Sequence, residues 1–107
     1  MASELESISV SMSKLSFKAE KLLRLLYKRY LDMRSDGVTK SEAFAVGDVD
    51  YICNNICPFY NVVMSNSDID SASDELYKYD LIFKNHFDYV ALKNDFVDFC
   101  VNSGIRV

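Results

Sequence analysis

Between Ser67 and Leu92 the spacing of the apolar residues changes its period once, at Asp80. That change constrains the fold more than any other feature of the chain. Before it, Ile69, Ala72, Leu76 and Tyr79 recur at intervals of 3, 4 and 3, one face of a 3.6-residue helix. Ser67 reads as its cap, and Asp68 and Asp70 fall in the first turn, where the helix dipole favours negative charge. After it, Leu81-Ile82-Phe83 and Phe87 to Leu92 are β-branched and aromatic around Lys84-Asn85-His86, the pattern of two strands joined by an Asn-containing turn. A helix that runs straight into a hairpin needs a mixed core.

The rest of the chain supplies helices for that core. From Lys14 to Arg34, Leu15, Ala19, Leu22, Leu26, Tyr30 and Met33 are spaced 4, 3, 4, 4 and 3, and Ser35-Asp36-Gly37 ends the helix. Lys14, Lys18, Lys21 and Lys28 form a basic stripe beside this apolar face, with Leu25 inside it as a candidate contact. Thr39 and Glu42 make a capping box that opens a second helical segment. Gly47-Asp48 breaks it, and Asp48 caps a shorter helix to about Ile56. Pro58 forbids continuation, so Pro-Phe-Tyr-Asn reads as a turn, with Phe59-Tyr60 a second candidate apolar contact. A last helix, Asp95 to Asn102, buries Phe96, Phe99 and Cys100 and stops at Gly104. Residues 1–13 are Ser-rich with little bulk and read as a flexible leader; 14–107 form one domain.

Composition excludes several classes. Seven Phe and seven Tyr in 107 residues bury too much for a disordered chain, and no apolar run approaches the roughly 18 residues of a membrane span. Residues 1–13 have no basic start followed by an apolar stretch, so Cys53, Cys57 and Cys100 are expected as reduced thiols in a cytoplasmic protein. His86 is the only histidine and zinc wants four ligands, so no metal is expected. No cofactor loop, catalytic dyad or small-molecule site is assembled, and the chain reads as no enzyme. The net charge of −4 is unevenly placed. Residues 14–40 carry eight Lys/Arg against three Asp/Glu, while residues 41–80 carry eight acidic groups against Lys78 alone.

The order helix, helix, helix, hairpin resembles that of winged helix-turn-helix domains. In these the third helix and first wing strand often read I/V-x-x-A-x-x-x-L-x-x-x-G-L-I. Ile69, Ala72, Leu76 and Leu81-Ile82 occupy these spacings, with Asp80 where Gly is usual. Gly37, Thr39, Lys40 and Ala43 also match a G-x-S/T-K-x-x-A opening shared by small uncharacterised proteins of Gram-positive bacteria and their phages. The resemblance implies a three-helix core, a two-stranded wing and a short C-terminal helix. It implies a small regulatory or interaction protein, nucleic-acid-associated by default, whose third helix enters the major groove while the wing touches the backbone. Dimerisation through first or last helices also follows from it.

The residues themselves pull against DNA. By helical phase the outward face of the third helix carries Asp70, Ser71, Asp74, Tyr77 and Lys78, with no Arg or Gln to read base edges, and the wing adds only Lys84 and His86. An acidic protein-interaction module, acting as adaptor, inhibitor or homodimer, is the alternative. If Asp70 and Asp74 stand free in solvent, lysine at both positions is expected to leave stability within about 0.5 kcal/mol.

Overall fold

The computed structural model describes residues 4–104, which fold mainly as helix around a three-stranded antiparallel sheet. Helix α1 spans Glu4–Ser13, α2 Phe17–Ser35 and α3 Lys40–Phe44, and strand β1 spans Ala45–Asp48. A helical stretch over residues 49–59, here α4, consists of α turns Val49–Tyr51 and Cys57–Phe59 around a π segment, Ile52–Ile56. Helix α5 (Asn66–Lys78), strands β2 (Ile82–Lys84) and β3 (Tyr89–Leu92) and helix α6 (Asn94–Ser103) complete the chain. Among the described residues no helix is long and apolar enough to cross a membrane.

The central packing follows the apolar spacing. Helix α2 buries Ala19, Leu22, Leu23, Leu26 and Tyr30, and α5 buries Ile69, Ala72 and Leu76, in one core with Leu81, Ile82, Val90, Leu92 and Phe96. Leu25, expected in the basic stripe, is 4% exposed and belongs to this core, because α2 is covered on most of its circumference. Tyr27 meets Phe96 edge-on at 6.1 Å, tying α2 to α6.

Helix ends differ from expectation where local hydrogen bonds decide them. The helix expected from Lys14 is two helices. Backbone bonds from Lys14 and Leu15 to Ser11 and Met12 close α1, and the Ser16 hydroxyl accepts from the Ala19 N–H to open α2. Of the segment expected as a leader, residues 4–13 thus form α1, with Ile8 and Met12 against the core; residues 1–3 lie outside the described residues. Helix α5 is capped by Ser65, two residues before the expected cap Ser67. The Ser65 hydroxyl accepts from the Asp68 N–H at 3.1 Å, and the Ser65 N–H donates to the Asp68 carboxylate, a reciprocal box. Pro58 comes directly after the π segment, in the closing α turn Cys57–Phe59, and the chain stays helical to Phe59 instead of stopping before it.

The largest difference is β1. Ala43 to Val46 read as helix, yet the chain leaves α3 at Phe44 and pairs with β3, Ala45 opposite Ala91 and Gly47 opposite Val90, with a register shift between them. Gly47 has φ +140°, a conformation foreign to helix and costly for any side chain. A Cβ there would stand 2.7 Å from the Tyr51 ring. The sheet order is therefore β1-β3-β2, one strand more than the expected hairpin. Asp48 then accepts from the Tyr51 N–H at 2.8 Å and caps α4 as expected.

The turn from α5 into β2 forms as its sequence suggests. Asp80 has φ +61°, the left-handed conformation that Gly usually takes and Asp tolerates, and the Leu81 N–H donates to the Leu76 carbonyl. Strands β2 and β3 pair Ile82 with Leu92 and Lys84 with Val90. Asn85 organises the turn between them, its side chain accepting from the N–H groups of Phe87 and Tyr89.

Candidate functional site

Side chains alternate along a strand, and in β2 this puts Lys84 on the face of Ile82, toward α5, rather than at the tip of the turn. Along α5, Asp70 and Asp74 stand four residues apart on one side and meet it. The Lys84 ammonium donates to Asp70 Oδ1 at 2.8 Å and to Asp74 Oδ1 at 2.6 Å, lies 3.3 Å from the Asp70 carbonyl, and has Asp88 Oδ1 at 3.7 Å. Its side chain is 5% exposed, whereas Asp70, Asp74 and Asp88 are exposed by half or more. Burial alone would lower the ammonium's pKa, but the hydrogen bonds and charges of Asp70 and Asp74 outweigh it and hold Lys84 above the usual lysine value.

The three sequence-singled residues Asp70, Asp74 and Lys84 are thus one cluster, with solvent-facing carboxylates and the cation inside. Asp70 and Asp74 do point outward, but they are not free. Lysine at both positions would set three ammonium groups together, so the near-neutral outcome expected from exposure alone does not follow. Ser71, Tyr77 and Lys78 lie on the exposed side of α5, where Lys78 rests 5.7 Å above the Tyr79 ring. His86 stands exposed in the Asn85–Asp88 turn, its ring 4.1 Å from that of Phe87.

Beside the cluster an open recess of about 420 Å³ lies between the start of α4, the start of α5 and the hairpin turn. Four aspartates line it, Asp48, Asp50, Asp70 and Asp88, with Phe87 at its edge. Asp50 accepts from the Asn66 side chain at 2.7 Å, which links α4 to α5. The sequence reading missed Asp48, Asp50, Phe87 and Asp88 as neighbours of α5, because only the unexpected strand β1 brings the start of α4 there. The Asp-rich run from 48 to 50, next to a glycine, was the one available signal.

The four lysines of the basic stripe have different surroundings. Lys18 pairs with Asp68 at 2.6 Å, and that hydrogen bond, with those from Ser65, holds the Asp68 carboxyl below its usual pKa. Lys28 lies 5.4 Å above the Tyr60 ring, Lys21 is half-buried and Lys14 is exposed. Cys57 and Cys100 are buried thiols, and burial pushes Cys100 up to about 12. Cys53 is half-buried, 3.5 Å from the Met64 carbonyl. Among the described residues no group of three or more His, Cys, Asp or Glu is placed to hold a metal ion. Comparison with known proteins finds no matching family, no matching curated protein and no matching solved structure.

Proposed function

We propose that this chain is a winged-helix-like, non-catalytic interaction protein of the cytoplasm. It docks a basic segment of a partner protein against the acidic recess beside α5 and does not read DNA through that helix. The single observation that carries this reading is the burial of Lys84 under Asp70, Asp74 and Asp88. In a winged helix this lysine belongs to the wing, which needs a free cation to meet a phosphate. Here three carboxylates hold it, and the surface left to a partner is negative. A phosphate backbone is repelled there, while lysine and arginine side chains are steered in.

The fold assignment within this proposal is supported by the order α2, α3, β1, α4, α5, β2 and β3 and by the left-handed turn at Asp80. Three free cysteines, two of them buried, support the cytoplasmic setting of this proposal.

Fluorescence anisotropy with a labelled lysine- and arginine-rich peptide and a labelled DNA duplex tests the proposal. The peptide is expected to bind, Asp50→Asn with Asp88→Asn is expected to weaken it several-fold, and the duplex is expected not to bind at low salt. Tighter binding of the duplex than of the peptide, with the steep salt dependence of phosphate contacts, would replace this reading by the nucleic-acid one.

A further inference from the structure

A second recess, of about 260 Å³, opens between the end of α2 and α4, away from the hairpin cluster; of its lining, Ile56 belongs to the core and Met33 and Tyr60 pack against it. Three aromatic side chains line it: Tyr51, Phe59 and Tyr60. Phe59 is 75% and Tyr51 44% exposed, a large outlay of apolar surface to leave in water. The rings of Phe59 and Tyr60 stand 4.9 Å apart at 72°, forming two nearly perpendicular walls.

The other groups at the recess favour positive charge. Asp32 and Asp36 bring carboxylates, and Asp32 accepts from the Tyr60 hydroxyl at 2.6 Å; burial first, and this bond second, push that phenol up to about 12. Both lie at the C-terminal end of the 19-residue α2, the negative end of its dipole. Arg29 also lines the recess, its guanidinium donating to the Ala45 carbonyl at 3.1 Å, and offsets one of the two carboxylate charges, leaving the lining net negative. Lys28, on the exposed side of α2, has its ammonium 5.4 Å from the Tyr60 ring. The ring thus already attracts a cation from within the chain.

We infer that this recess binds an organic cation, an ammonium or guanidinium carried on a partner's side chain, between the rings of Tyr51, Phe59 and Tyr60 and the carboxylates of Asp32 and Asp36. Aromatic faces attract such cations through their quadrupoles, most strongly where water is excluded, and the carboxylates add charge attraction. Lys28 acts as an internal competitor, covering part of Tyr60 and adding like charge at the rim. The inference rests on the proposed function only for the source of the cation.

The test uses the full chain and three capped peptides identical except at the central residue: trimethyllysine, arginine and neutral norleucine. Binding is followed by NMR on the aromatic ring resonances. The two cationic peptides are expected to shift the Tyr51, Phe59 and Tyr60 rings with saturation, and norleucine is expected not to. Phe59→Ala should weaken cation binding about threefold or more, the equivalent of one exposed cation–π contact. Lys28→Gln should tighten it, a change that loss of structure would not produce. Absence of ring shifts, equal binding of norleucine, or no tightening in Lys28→Gln would overturn the inference. Asp50→Asn with Asp88→Asn should leave this binding unchanged. A basic peptide that still binds at the hairpin recess while these rings stay silent removes this inference and leaves the proposed function standing.

Discussion

Removing the two ends of the Lys84 cluster should have unequal consequences. Lys84→Met keeps the buried stem and deletes the ammonium. Two charge-assisted hydrogen bonds to carboxylates, at 2.8 and 2.6 Å, and a longer one to the Asp70 carbonyl, at 3.3 Å, are then lost. The first two would each be worth about 1.5–3 kcal/mol in a dry setting. Both acceptors are exposed by half or more, so screening reduces each to about 1 kcal/mol. The desolvation cost of the ammonium is recovered, and the three carboxylates rehydrate where they stand, so the net loss is about 1 kcal/mol. Asp70→Asn with Asp74→Asn removes the same two pairs but leaves a cation with 5% exposure facing neutral amides, and Asp88 at 3.7 Å compensates little. That variant should lose about 2–3 kcal/mol, less than a fully buried broken pair because the long stem can swing toward water. Urea denaturation followed by circular dichroism measures both. For a domain near 100 residues, 1 kcal/mol corresponds to a midpoint shift of about 4–8 °C in a thermal scan. The sign with pH is also determined. The folded pKa of Lys84 lies above its ordinary value of 10.5, so its contribution is complete below that pH and is lost as pH rises through the folded value. The gap between wild type and Lys84→Met should therefore close in strong alkali. A lysine variant costing as much as the double asparagine variant, or a gap that stays constant with pH, would refute the reasoning.

Three other outcomes follow from single positions. Gly47→Ala should destabilise by about 1–3 kcal/mol in the same urea assay, since φ +140° strains any side chain and the new Cβ meets the Tyr51 ring at 2.7 Å. Asp80→Gly should stabilise by about 0.5–1 kcal/mol, because the left-handed turn is relieved and the exposed pair with Lys93 that is lost contributes little. In a thiol-labelling time course on the native protein, Cys53 should react first, while Cys57 and Cys100, buried and with raised pKa, should react only with unfolding.

The parts of this fold that the sequence made legible are those governed by local periodicity. The apolar face of α2, the buried trio Ile69, Ala72 and Leu76, the turn at Asp80 and the hairpin beyond it all appear where spacing and turn chemistry put them. What was not legible depended on distant partners. Ala43 to Val46 have ordinary helical composition, and only pairing with β3, twice as far along the chain, makes Ala45–Asp48 a strand. The same limit applied to the candidate site. Helical phase puts Asp70 and Asp74 on the outer face of α5, where they lie, but local sequence puts Lys84 in the turn, whereas it belongs to β2. One residue of register in β2 separates a solvated lysine from a buried one. The aromatic pair Phe59-Tyr60 was visible as an apolar contact, whereas its carboxylate neighbours on α2 were not, since nearly thirty residues separate them.

The proposed function requires the hairpin's lysine to be held inside the protein. Lysine-selective nitrogen NMR, observing ammonium protons with and without a DNA duplex, measures this directly. One ammonium, assigned through Lys84→Met, is expected to exchange slowly with water and to keep its shift when duplex is added. A Lys84 signal that exchanges as fast as those of the exposed lysines, or that moves as the duplex is titrated, would contradict the proposed function.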